Sequence, residues 1–224
     1  MMDYRIISIG ALSSHDLWPD NGSPCTPHAT TTLIRSNGRA ILVDPGLPPP
    51  AIGARLTERS GLTPQAITDV FLTNFRPAHR AGLAAFGEAT WYISEMEREA
   101  IGSALVDRFR TESDAEVCRL IEQDIGLLKR FQVAPDRLVD QVDLFPLPGF
   151  TPGTCGLLLS HMNSTTLIAS DAVASTEHLE QGRVLRNAVD VSAARDSLAE
   201  VVEIADVIIP GHDNLVLNPT RRQF

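Results

Sequence analysis

Histidines, cysteines and carboxylates are the side chains of this chain that could hold a metal or activate a nucleophile. Its three cysteines, Cys25, Cys118 and Cys155, are odd in number, far apart and without a Cys-x-x-Cys pair. That argues against a disulfide framework and fits a reducing compartment. No base partner for any of them is visible, so a thiol nucleophile is not expected. His15 and His28 bracket a stretch from Gly10 to Pro27 that is rich in Ser, Pro, Asp, Asn and Gly. It reads as a long loop, and long loops in compact domains often carry function. Solvation is still the ordinary state of a loop histidine. His178, beside Glu177, reads as an exposed loop residue. His161 reads as a strand-end surface residue and Asp213 as a surface charge.

Such residues need a folded core to position them, and 224 residues are enough to build one. The chain is 43% hydrophobic and 21% charged, a globular rather than a disordered composition. Its formal net charge of −9 argues against a surface built for nucleic-acid phosphates or anionic lipid. It leaves room for a small anionic substrate held in a local positive pocket. The start MMDYRIISIG lacks the basic residues and long apolar run of a signal peptide. No apolar stretch approaches the roughly 18 residues of a membrane span. A cytoplasmic location is expected, with a small-molecule ligand and no nucleic-acid or membrane partner.

Tyr4 to Ile9 reads as a strand. Thr30 to Arg35 and Arg39 to Val43 are β-rich runs around Ser36-Asn37-Gly38, an Asn-Gly hairpin signal. Ala51 to Glu58 reads as a helix ended by Gly61 and Pro64. Asp69 to Leu72 and Thr90 to Ile93 read as short buried strands. Ser94-x-x-Glu97 and Ser113-x-x-Glu116 are capping boxes. The helix after the first would bury Met96, Ala100, Ile101, Ala104, Leu105 and Phe109. The helix after the second would bury Val117, Leu120, Ile121, Leu128 and Phe131. Strands are expected around Leu144 to Leu147, Gly156 to Ser160 and Thr165 to Ala169. Ser192 can cap a helix running to Ile204, and Val207 to Ile209 is a last buried strand. No repeat or composition shift marks a boundary, so residues 1–224 read as one domain. The helical segment 94–131 is open to two roles, a cap over a cleft or an oligomer interface. Two groups of strands with helices between and after them point to two sheets covered by helices.

Five segments in order, each at a strand end, resemble the metallo-β-lactamase superfamily. Ile41-Leu42-Val43-Asp44-Pro45-Gly46 is similar to its strand ending in Asp-x-Gly. Val70-Phe71-Leu72-Thr73 is similar to the strand before its metal loop. Leu147-Pro148-Gly149-Phe150-Thr151-Pro152-Gly153 resembles its Thr-Pro-Gly-His-Thr-Pro-Gly segment. Ile168-Ala169-Ser170-Asp171 resembles its Gly-Asp strand end, and Ile208-Ile209-Pro210-Gly211-His212 its closing Pro-Gly-His. The resemblance runs from about residue 30 to residue 212. It implies an α/β fold, a four-layer αββα sandwich with metals at one edge.

The family's metal loop, His-x-His-x-Asp-His, is here Asn74-Phe75-Arg76-Pro77-Ala78-His79. In the family the first metal is held by the two leading histidines and the His of the middle segment. Those positions are Asn74, Arg76 and Phe150. An amide, a guanidinium and a phenyl ring cannot replace three imidazoles, and Arg has no lone pair to give near neutral pH. The resemblance therefore implies an empty first position. Of the second metal's ligands, His79, Asp171 and His212 remain, while Ala78 has replaced the loop Asp. Two imidazoles and one carboxylate can hold zinc with an open position, or iron or manganese; binding no metal at all is the other outcome. Asp44 falls where the family keeps a supporting carboxylate. Arg76 is expected within salt-bridge reach of Asp171, with Phe150 stacked on its guanidinium. Its other role would be to orient a substrate carboxylate or phosphate. Asn74, Phe150, His15 and His28 would line the substrate pocket.

Three functions compete. The first is a one-metal hydrolase of an ester, thioester, lactone or amide, with Asp171 and Arg76 as its catalytic residues. The second is a non-catalytic small-molecule-binding or interaction protein on the same fold. The third is a metal-free enzyme with Asp171 and His212 as general base.

Overall fold

A computed structural model describes residues 2–14, 17 and 25–221. Its described strands form two six-stranded sheets. The first contains β1 (Asp3–Ser8), β2 (Thr31–Ser36), β3 (Arg39–Val43), β4 (Asp69–Leu72), β5 (Thr90–Ile93) and β6 (Gln132–Val133), in that order across the sheet. The second contains β7 (Arg137–Val139), β8 (Val142–Pro146), β9 (Cys155–Ser160), β10 (Thr165–Ser170), β11 (Val207–Pro210) and β12 (Val216–Leu217). It too runs in chain order, β7 at one edge and β12 at the other. The helices are α1 (Pro49–Ser60), α2 (Pro77–Arg80), α3 (Glu95–Thr111), α4 (Ala115–Leu128), α5 (Thr176–Gln181) and α6 (Val191–Ile204).

Period-two side-chain alternation explains the layering. Leu33, Leu42, Val70 and Leu72 point away from the second sheet and pack with Ile52 and Leu56 of α1 and Leu128 of α4. Their chain neighbours Ile34, Ile41, Val43 and Phe71 point the other way, onto Leu157, Leu159, Ile168 and Ile209 of the second sheet. On that sheet's far side Leu167, Ala169 and Ile208 pack against Leu198 and Val201 of α6. Central strands with apolar residues on both faces therefore need a cover on each side, and the αββα sandwich follows. Among the described residues no helix is long and apolar enough to cross a membrane.

Local signals hold where the turn chemistry is strict. Asn37 and Gly38 take positive φ, 50° and 79°, and Ser36 pairs with Arg39 to close the two-residue hairpin. Gly61 ends α1 in the left-handed conformation. Helix starts are less legible. Asp114, not Ser113, caps α4, accepting from the Glu116 and Val117 amides. Asp190, not Ser192, caps α6, accepting from the Ala193 amide. In both cases a carboxylate close by competes for the same role. The apolar stripe expected on α3 is only partly buried. Ile101 and Leu105 reach the core, but Met96 is 62% exposed and Phe109 37%. Leu120 of α4 is 51% exposed. The two helices pack on one another, so part of each stripe faces solvent.

Candidate functional site

Parallel pairing of β3 with β4 and of β10 with β11 sets their C-terminal ends side by side. From those ends project Asp44, Thr73 and Asn74, Asp171, and His212. Two of the four ends are bent at unusual backbone: Asp44 has φ 51° and Ser170 has φ 53°. Left-handed non-glycine residues are held only where the surroundings over-determine them, and they gather at functional sites. His79 comes from α2, whose first residue is Pro77. A proline holds the residue before it extended, and Arg76 is so (φ −63°, ψ 147°). That turn starts a helix which brings His79 back over Asp171.

The centre is a buried carboxylate shared by three donors. His79 Nε2 lies 2.7 Å from Asp171 Oδ2, and His212 Nε2 lies 2.9 Å from Oδ1. The Asn74 amide donates to Oδ2 at 2.8 Å. The opposite nitrogen of each ring is also engaged. His79 Nδ1 lies 3.1 Å from Asp44 Oδ2. His212 Nδ1 lies 3.0 Å from the His28 carbonyl. Asp44 is held in turn by the Thr73 amide at 2.9 Å and hydroxyl at 2.6 Å. His79, Asp171 and His212 are all buried, and one ligand atom from each lies within 4.8 Å of the others.

Burial by itself would lower the pKa of His79, but Asp44 and Asp171 outweigh it and raise the imidazole to about 10. Burial pushes Asp171 the other way, yet His79 and His212 hold its carboxyl well below the usual carboxylate range. Metal-free, these shifts favour a charged His79 imidazole beside an ionised Asp171. Burial also pushes the Cys155 thiol up to about 12, which disfavours the thiolate.

Glu97 has a part that the sequence did not show. Its amide donates to the Ser94 hydroxyl cap, but its side chain does not complete the box. It accepts from the Phe75 amide at 2.9 Å, the Thr151 hydroxyl at 2.7 Å and the Gly153 amide at 3.1 Å. This fully buried carboxylate thus ties the Asn74–His79 loop to the Phe150 loop. A Cβ on Gly153 would lie 2.0 Å from the Glu97 backbone nitrogen. Gly153→Ala is therefore expected to destabilise the protein by about 1–3 kcal/mol or more, measured by urea unfolding. An unchanged midpoint would show that the close approach is not needed.

Arg76 departs from expectation. It is exposed, and no ion pair joins it to Asp171 among the described residues. Its guanidinium lies 5.3 Å from the centre of the Phe150 ring, so the expected stacking is present without the expected salt bridge. The extended backbone before Pro77 turns the side chain outward, while Asn74 and two imidazoles fill the space around the carboxylate. Arg76→Ala should therefore cost no more than about 1 kcal/mol, the size of an exposed cation–π contact. A loss near 3 kcal/mol in thermal or urea unfolding would restore the buried-pair reading.

Phe150 is buried with Ala174 and Leu185. His28 offers the site its carbonyl; its ring nitrogens lie near the Thr26 and Ile9 carbonyls, at 3.0 and 3.2 Å. His15 lies outside the described residues. Glu177 is exposed as expected, whereas His178 is buried, its Nδ1 2.8 Å from the Ser175 hydroxyl. His161 is half-buried, its ring tilted against Tyr4. Asp213 is also half-buried, its carboxylate accepting from the Thr176 amide.

A sequence profile of the metallo-beta-lactamase superfamily matches residues 27–212. The chain belongs to that superfamily. Among curated protein sequences none matches it. Solved structures that resemble it include a Thermotoga maritima protein assigned to the metallo-beta-lactamases, with TM-score 0.69 and 20% identity over 96% of this chain and 99% of that one. The hydrolase AbOPH of the beta-lactamase superfamily aligns with TM-score 0.64 and 14% identity, over 100% of this chain and 92% of that one. AidC, a dizinc quorum-quenching lactonase, aligns with TM-score 0.63 and 20% identity, over 78% of this chain and 67% of that one.

Proposed function

We propose that this protein is a hydrolase with a single divalent metal, held by His79, Asp171 and His212, and that the two-metal centre of its relatives is lost. The observation that carries this reading is the orientation of both imidazoles from behind. Asp44 takes the Nδ1 side of His79 and the His28 carbonyl takes that of His212, so both Nε2 atoms face the Asp171 carboxylate. Carboxylate or carbonyl support of that kind fixes the ring nitrogens of metal-binding histidines. Two imidazoles and one carboxylate suit zinc, iron or manganese, with positions left for water or substrate.

A second metal does not fit. Asn74 turns its N–H, not its oxygen, toward Asp171, while its oxygen accepts from the Arg76 amide. Phe150 has no donor atom, and Arg76 has no lone pair. A divalent ion on the remaining three ligands would supply Lewis acidity for hydrolysis near neutral pH. In this reading Asn74 steadies Asp171, Asp44 orients His79, and Arg76 meets an anionic or developing negative oxygen of the substrate from the rim. The substrate is an ester, lactone, thioester or amide. Lactones come first among these, since AidC, a structural neighbour, is a lactonase.

One observation favours a second reading, a non-catalytic ligand-binding protein. Asp171 already accepts from both histidines and Asn74, so the site is satisfied without an ion. Metal analysis of protein purified without chelator, followed by calorimetric titration with zinc, manganese and ferrous iron, separates the two. The hydrolase reading expects saturable one-to-one binding, weakened at least about a hundredfold by His79→Ala or His212→Ala. No saturable binding, with an unchanged melting temperature, would reject the single-metal hydrolase and favour the non-catalytic reading.

A further inference from the structure

Asp171 and Asp44, the two buried carboxylates of the site, are joined by two separate routes. His79 spans them with its ring nitrogens, Nε2 to Asp171 and Nδ1 to Asp44. The other route runs through three side chains. The Asn74 amide donates to Asp171 at 2.8 Å and to the Ser170 hydroxyl at 3.3 Å. The Ser170 hydroxyl lies 2.6 Å from that of Thr73, which lies 2.6 Å from Asp44 Oδ2. Asp171, His79, Asp44, Thr73, Ser170 and Asn74 thus close a ring, and each is at most 2% exposed.

The direction of the hydrogen bonds along this route is forced. A carboxylate accepts, so Thr73 gives its one hydroxyl proton to Asp44. Ser170 must then donate to Thr73, and its own oxygen is left to accept from the Asn74 amide. Asn74 keeps its N–H groups on this side because its oxygen accepts from the Arg76 amide. The route therefore needs a residue at position 170 that both gives and takes a hydrogen bond. Hydrogen bonds linked in this way polarise and strengthen one another.

The backbone of Ser170 points to the same conclusion. Its φ of 53° is left-handed, a conformation that glycine adopts at lower cost. It is held there through its carbonyl, which accepts from the Val173 and Gly211 amides at 3.2 and 2.9 Å, where the register of β10 against β11 shifts. A serine at this position bears a backbone cost that glycine would not, and its hydroxyl is what it adds in return.

We propose that Ser170 is a positioning residue: its hydroxyl closes the ring, and through Asn74 and Thr73 it fixes the Asp171 and Asp44 carboxylates around His79. The proposal rests on the single-metal reading for what the ring serves, not for the ring itself.

Ser170→Gly and Ser170→Ala separate the hydroxyl from the backbone. Both remove the hydroxyl, and only glycine relieves the left-handed conformation. In chelator-treated protein the urea midpoint of Ser170→Gly should lie above that of Ser170→Ala. In the same metal-free protein the Asn74 side-chain amide, identified in NMR spectra by its loss in Asn74→Asp, should exchange with solvent about tenfold or more faster in both variants. Once the chelator is removed, zinc affinity in calorimetric titration should fall by about tenfold or more, and equally, in both. A role in stability alone expects zinc affinity to follow the urea midpoints, with Ser170→Ala the weaker binder. That result, or amide exchange unchanged in both variants, overturns the proposal. If wild type takes up no zinc, the single-metal reading fails by itself; faster amide exchange in the variants then still supports the ring, and unchanged exchange rejects it.

Discussion

In metal-free protein, Asp171→Ala is expected to lower the unfolding free energy by about 3–5 kcal/mol, the range for removing one partner of a buried ion pair. Asp171 is 2% exposed and is the shared acceptor of His79, His212 and Asn74. Its removal leaves the buried Asn74 amide without that acceptor, and the His79 imidazolium with Asp44 as its one remaining carboxylate. Asp171→Asn should recover part of the loss. Its oxygen can still accept from His212, while its amide would meet the amide of Asn74. Urea unfolding of chelator-treated protein measures this, with Arg76→Ala as the surface comparison. A loss below about 1 kcal/mol for Asp171→Ala would mean that the carboxylate does not organise the site.

The second large effect is on pH. His79 is raised from its ordinary 6.5 to about 10 in the folded, metal-free protein. A raised histidine contributes stability that is fully present below about 6.5 and is lost as pH climbs through about 10. Asp171, held low, acts in the opposite direction: its contribution is present above the ordinary carboxylate range and is lost as acid protonates it. Metal-free protein should thus be most stable in the mildly acidic range and should weaken steadily above neutrality. Metal binding runs against this, because His79 must release its proton to become a ligand. Apparent metal affinity should rise about tenfold per pH unit between about 6.5 and 9, and added metal should offset the alkaline loss of stability. Unfolding and metal titration at several pH values measure both slopes. A metal affinity independent of pH across that interval would show that His79 is neutral in the free protein and that its pairing with the two carboxylates is not ionic.

Both effects originate in side chains whose places along the chain were legible and whose partners were not. Two helix-covered sheets were readable because that much depends on local periodicity, while the αββα order came from the resemblance to the superfamily. Alternating apolar residues in β2, β3 and β4 must face covers on both sides, and Asn37-Gly38 has few backbone options other than a tight hairpin. The strand-end segments placed Asp44, His79, Asp171 and His212 through their resemblance to the superfamily's motifs; in the structure β3 and β4 end together in one sheet and β10 and β11 in the other. Tertiary structure decided which atom each polar group met. Asn74 and Asp171 are 97 positions apart, and nothing local says that the amide would take the place by the carboxylate that Arg76 was expected to fill. Glu97 read as half of a capping box, but it reaches across 54 positions to Thr151. His178 read as a surface residue and is buried. Apolar residues need only a dry face, which periodicity supplies. A buried polar atom needs a particular partner at hydrogen-bond distance, and that partner exists only once distant elements have packed.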